Sequence, residues 1–134
     1  MFVVDAPVVM EWALPGQRSV TGERAFGSAR RRPIVVPALW WWDTQNAVLT
    51  LTRRRVLTPE RALQIRVELA LLSKRVDGPP GEHTIDRTWA IATQHVMTFY
   101  DASYVELAMR LGLPLASSDA AVRNAAARLG LTLI

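Results

Sequence analysis

Short apolar runs alternate with longer stretches of helical spacing along this chain. Phe2 to Val4 is apolar and rich in β-branched residues, the pattern of a buried parallel strand. Asp5 follows, placed to cap a helix that tolerates Pro7 in its first turn. Leu14, Pro15 and Gly16 end that segment. Thr21 to Arg32 has a weak helical pattern, and Pro33 to Val36 is extended. From Ala38 to about Val56 the spacing of Leu39, Trp42, Asn46, Leu49 and Arg53 predicts a helix with mixed faces, on which Asp43 and Asn46 share a side. Thr58, Pro59 and Glu60 open a further helix through about Arg75. The DGPPG run from Asp77 to Gly81 is a loop by its chemistry, and Ile85 to His95 is again helical. Asp101 begins DASYVELAMRLG, whose apolar surface closes at Gly112. Leu113 to Ala116 reads as a strand, Ser117 to Asp119 as a turn, Ala120 to Leu129 as a helix, and the closing LTLI as extended.

Strands alternating with helices predict an α/β layer fold with a mainly parallel central sheet, whose ligand site lies beyond the carboxyl ends of the strands. Asp5 and Asp119 both fall at that edge. With 134 residues, half of them apolar, the chain is expected to form one domain over 1–134. It contains no internal repeat, and DGPPG is too short to be a domain linker. The N-terminus lacks a basic leader, Asp5 and Glu11 interrupt its apolar residues, and no run approaches the roughly 20 residues that span a bilayer. A soluble cytoplasmic protein without a membrane segment is the expectation.

Charge and composition narrow the chemistry. Lys+Arg exceed Asp+Glu by 16 to 12, a net +4 compatible with a phosphate-bearing partner but also common in Arg-rich proteins that bind none. Cysteine is absent, and His83 and His95 are too few and too badly spaced for a zinc site, so any metal must be held mainly by oxygen. Four aspartates then stand out: Asp5 in FVVD, Asp43 in ALWWWD, Asp101 in MTFYD and Asp119 in LPLASSD. Each follows or interrupts an apolar stretch, where an ionised carboxylate needs a donor, a cation or a metal. Simple helix capping explains Asp5, Asp101 or Asp119 taken singly. Together, all being aspartate rather than Ser, Thr or Asn, they suggest a site for a hard divalent cation. Asp43 lies inside a predicted helix and is either a fourth acid of that site or one solvated turn.

Other candidates have plain structural readings. Ser117 and Ser118 either orient Asp119 or only form a turn, and Asn46 is in position to hydrogen-bond a neighbouring carboxylate. Trp40, Trp41 and Trp42 suggest base stacking, but three consecutive helical residues point in different directions, so packing is expected to take most of them. Arg30 to Arg32 and Arg53 to Arg55 either line a phosphate path or are solvated surface. No GxGxxG, GxxxxGK[ST] or GxSxG occurs. A phosphorylated receiver domain would want adjacent early acids and a late strand-end lysine, whereas Lys74 is the only lysine.

The segments VVDAPVV, PALWWWDTQNAVL and TFYDASYVELAMRLGLPLASSD resemble the PIN-domain ribonucleases, particularly VapC-type toxins of bacterial toxin–antitoxin pairs, over nearly the whole chain. YDA-x-Y-x-x-LA followed by a small-residue turn and an aspartate is the most specific part. The resemblance implies a three-layer α/β/α fold and a metal-dependent endoribonuclease. It makes Asp5, Asp101 and Asp119 the ligands of Mg²⁺ or Mn²⁺, puts Asp43 at the usual glutamate position, and gives Asn46 and Ser117 supporting places. It further implies an RNA substrate, a cognate antitoxin and a homodimer. Two departures matter: Asp43 is one methylene shorter than glutamate, and Pro7 replaces a hydroxyl residue. A catalytically weakened nucleic-acid or peptide-binding module is the alternative.

Overall fold

The apolar runs Phe2–Val4 and Ile34–Val36 form β1 and β2, buried on both faces at the middle of a four-stranded parallel sheet ordered β3-β2-β1-β4. The computed structural model describes residues 1–14 and 16–134, so the expected break at Pro15 falls outside the described residues. Between β1 and β2 run α1 (Ala6–Ala13) and α2 (Val20–Ala29); between β2 and β3 (Lys74–Val76) run α3 (Trp40–Arg53) and α4 (Pro59–Leu71). The chain then forms α5 (Glu82–His95), α6 (Phe99–Leu111), β4 (Leu115–Ala116) and α7 (Ala120–Arg128).

Successive strands step from β1 to β2 to β3, and the chain then returns across the sheet to β4 on the other side of β1. Right-handed crossovers therefore place α1 to α4 on one face and α5 and α6 on the other, and the packing of α1 on α3, α3 on α4 and α5 on α6 agrees. The layered α/β fold expected from the sequence is the fold observed. The reversal of strand order puts a crevice between the carboxyl ends of β1 and β4, and Asp5 and Ser117 immediately follow those two strands.

Several helix ends differ from the sequence reading by a few residues, and three differences change the fold or the site. The helix opened by Thr58 stops at Leu71, and Lys74–Val76 pairs with Ile34–Val36 as an edge strand. Backbone pairing with β2 overrides the helical preference of Lys and Arg there, and the Lys74 ammonium closes α4 by donating to the Leu69, Ala70 and Leu72 carbonyls. The helix expected to begin at Asp101 starts at Phe99, because Thr98 is its cap. The closing LTLI makes only an isolated bridge, Leu115 to Leu133.

One further buried charge is Glu106, outside the set of four aspartates. Glu106 on α6 is 2% exposed and accepts hydrogen bonds from Arg87 of α5 and Arg110 of α6, while Arg110 also reaches Asp77 at 2.6 Å. This network ties α5, α6 and the loop after β3 together. No helix among the described residues is long and apolar enough to cross a membrane.

Candidate active site

Asp5 leaves β1 and caps α1, its Oδ1 accepting from the Val8 amide at 3.0 Å while the side chain is almost completely buried. Asp119 does the same for α7, with its Oδ1 accepting from the Val122 amide at 2.9 Å, but it is exposed. Both thus fulfil the plain capping role, each using one carboxylate oxygen for it. Between them sits fully buried Ser117, whose hydroxyl accepts from the Asp119 amide at 3.2 Å and lies near enough to Asp5 to hold its carboxyl lower than burial alone would. Ser117 therefore links the first and last acids.

Asp101 is not a cap. It lies in the first turn of α6, its amide donating to Thr98 Oγ1 at 3.0 Å, and its carboxylate is half-buried. Asp43 lies in the first turn of α3 and accepts from the Tyr104 hydroxyl at 2.9 Å. Asn46 is exposed beside Asp43 in an open groove and makes no hydrogen bond to a carboxylate among the described residues.

Electrostatics connects the four acids. Burial raises the Asp5 carboxyl to about 6 against hydrogen bonds from Ser117 and Val8, and the charges of Asp101 and Glu11 push it the same way. Asp101 is also raised, first by burial, against a hydrogen bond from Thr98, with the charges of Asp119 and Asp43 adding to the rise. Tyr104 is raised well above the ordinary phenol by burial, then by the charge and hydrogen bond of Asp43 and the charges of Asp5 and Asp101. None of the ion pairs among the described residues involves any of the four aspartates.

Such a set of oxygen donors without a basic partner fits a hard divalent cation in chemistry and charge. Its spacing is looser: no three His, Cys, Asp or Glu side chains among the described residues stand close enough to hold one ion together, so ligation by three aspartates requires side-chain rotation.

The arginine runs do not join these acids. Arg32 stacks over Phe2, 5.3 Å from its ring centre, at the amino end of β1, so Arg30 to Arg32 lie at the opposite edge of the sheet. Arg53 is ten residues beyond Asp43 on α3, roughly 15 Å along the axis. Of the three consecutive tryptophans, Trp40 is fully buried, Trp41 half-buried and Trp42 exposed, so packing claims the first two only. Sequence reading missed Tyr104 as a site residue, though its place three positions after Asp101 puts both on one helical side. It also missed Arg123, whose Nη1 donates to the Ser117 carbonyl, Thr21 and the Ile134 carbonyl, fixing the turn that carries Ser117. No local pattern marks that residue.

No protein-family profile matches the chain. A curated relative, ribonuclease VapC3 of Pyrobaculum aerophilum, is 29% identical over 117 residues, which span 87% of this chain and 88% of that protein. Among solved structures, PAE2754 from Pyrobaculum aerophilum superimposes with a TM-score of 0.68 at 22% identity, covering 92% of this chain and 83% of that one. The sarcin-ricin loop cleaving toxin VapC20 of Mycobacterium tuberculosis gives 0.69 at 17% identity over 93% of this chain and 95% of the toxin. FitAcB from Neisseria gonorrhoeae gives 0.68 at 17% identity, covering 100% and 96%. The chain has the fold of PIN-domain proteins. Within that fold, its sequence likeness is to the VapC ribonucleases.

Proposed function

We propose that this protein is a metal-dependent endoribonuclease acting as the toxin of a VapBC-type pair, with RNA as substrate. The observation that carries the reading is Asp101, whose carboxyl is raised in part by the charges of Asp43 and Asp119 and which in turn raises Asp5, with none of the four in an ion pair among the described residues. Likeness over most of the chain to a protein named as a ribonuclease supports it.

Asp5, Asp101 and Asp119 are the residues that would hold Mg²⁺ or Mn²⁺. When bound, such an ion supplies positive charge to a scissile phosphate and makes water more acidic. Asp5, raised to about 6, must release its proton to serve as a ligand. Ser117 supports Asp5 and the turn that carries Asp119, and Tyr104 fixes the direction of Asp43, whose shorter side chain would orient water rather than bind the ion. The chain acts in the cytoplasm, as a homodimer, and is restrained by a cognate antitoxin.

Asp43 in place of glutamate, tethered to Tyr104, favours one second reading: a PIN-fold binding module with weakened catalysis. Purified, partner-free protein incubated with RNA and Mn²⁺ separates the two. Cleavage that disappears with chelator and in Asp101→Asn supports the nuclease. Absence of metal-dependent cleavage would leave the binding module.

A further inference from the structure

Trp42 and Tyr100 border one open groove beside the acidic crevice, together with Leu39, Asp43 and Asn46. They are 74% and 63% exposed, although aromatic rings of this size are usually well covered in a folded domain. Trp42 immediately precedes Asp43 on α3, and Tyr100 immediately precedes Asp101 on α6. Two acids of the site thus each carry an exposed aromatic neighbour, and both rings border the same cavity of about 470 Å³, within the size range of small-molecule sites.

We propose that this groove is a nucleobase subsite, in which an unpaired base of the RNA strand stacks against Trp42 and Tyr100 while the adjoining phosphate faces the aspartates. This rests on the nuclease reading for the position of the phosphate. The lining distinguishes a base from other occupants. Rings supply stacking that any base accepts. Asn46 is exposed there and offers amide donor and acceptor atoms to a base edge. Asp43 would repel a phosphate placed in the groove but not an uncharged base. The arginine runs lie elsewhere, and among the described residues no Lys or Arg lines this groove. Affinity for the strand then depends on stacking more than on phosphate contacts.

Trp89 provides an internal control, being 65% exposed on α5 and outside the groove. Binding is measured on the Asp101→Asn chain in chelator, by tryptophan fluorescence and by anisotropy of a labelled RNA hexamer, so that neither turnover nor a bound ion plays a part. Adding Trp42→Leu or Tyr100→Leu is expected to weaken hexamer binding about tenfold each, the scale of one lost stacking partner. Trp89→Leu leaves it unchanged, and a hexamer with abasic positions binds the unsubstituted groove as weakly as the intact hexamer binds the Trp42→Leu groove. Wild-type cleavage is followed separately, so a failed nuclease reading leaves the base contact still measured.

Equal binding by Trp42→Leu, or equal binding of intact and abasic hexamers, overturns the subsite. So does fluorescence quenching by an apolar peptide of Leu and Phe but not by RNA, which would make the groove a protein dock. Conversion of a dimer to a monomer by Trp42→Leu in sedimentation overturns it as well, by making the face a contact between copies.

Discussion

The hydroxyl of Tyr104 on α6 donates to Asp43 Oδ2 on α3 across 2.9 Å, joining two helices that pack on opposite faces of the sheet. Tyr104 is 1% exposed, and burial with the surrounding carboxylates holds its phenol in the protonated, donating form. Asp101 lies three residues earlier on the same helix. A single element therefore presents one acid and fixes the direction of a second.

Tyr104→Phe removes that donor while keeping the ring. The expected loss is about 1 kcal/mol of unfolding free energy, the usual net value of one hydrogen bond. Urea denaturation measures it. In the cleavage assay kcat falls while KM changes little, because Asp43 loses its orientation but the groove keeps its walls.

Asp43→Glu tests the missing methylene. The longer carboxylate extends toward the crevice past the tyrosine, and RNA turnover is expected to rise. Steady-state rates on one oligonucleotide, with Mn²⁺ held constant, measure the change. A fall in kcat would mean that the short side chain is already matched to its tyrosine.

Asp5 makes stability depend on pH. Its folded-state carboxyl stands at about 6 against an ordinary 3.8, so the folded chain holds that proton more tightly than the unfolded chain. The favourable contribution is fully present below about pH 4 and is lost as pH rises toward and through about 6. In chelator, Asp5→Asn keeps an oxygen for the Val8 amide and removes the buried charge. It should be more stable than wild type at pH 7 by on the order of 2 kcal/mol, with the difference vanishing near pH 4. Thermal melts across that range measure it, and the variant should cleave no RNA.

Arg110→Ala leaves Glu106 buried with only half-exposed Arg87 beside it, and also frees Asp77. The expected cost is about 3 kcal/mol, the scale for breaking a buried pair by removing one partner. Glu106→Gln, which removes the charge and keeps much of the shape, should cost less. Chemical denaturation of the two variants gives the ordering.

Much of this arrangement was legible in the sequence. The strand-then-acid runs FVVD and LASSD placed Asp5 and Asp119 at the carboxyl edge because a parallel sheet leaves its ligand crevice there. The apolar spacing of DASYVELAMRLG marked the helix carrying Asp101, two residues short of its start at Phe99, and WWWDTQN put Asp43 and Asn46 on one side. What remained hidden depended on contacts distant along the chain. β3 was obscured because Lys74 and Arg75 carry no strand pattern and pair only because β2 offers an edge. The Tyr104 bond to Asp43 spans 61 residues, and Arg123 reaches Thr21 across 102. The fate of the arginine runs followed from strand direction, which puts Arg32 by Phe2 rather than by the acids.

Calorimetric titration of Mn²⁺ into the purified, metal-free chain bears most directly on whether the distant aspartates act as one cation site. Saturable binding is expected that weakens as pH falls below about 6, where Asp5 takes up its proton, and that is lost in both Asp5→Asn and Asp101→Asn. Binding of the same strength in wild type and in both variants would contradict a shared cation site.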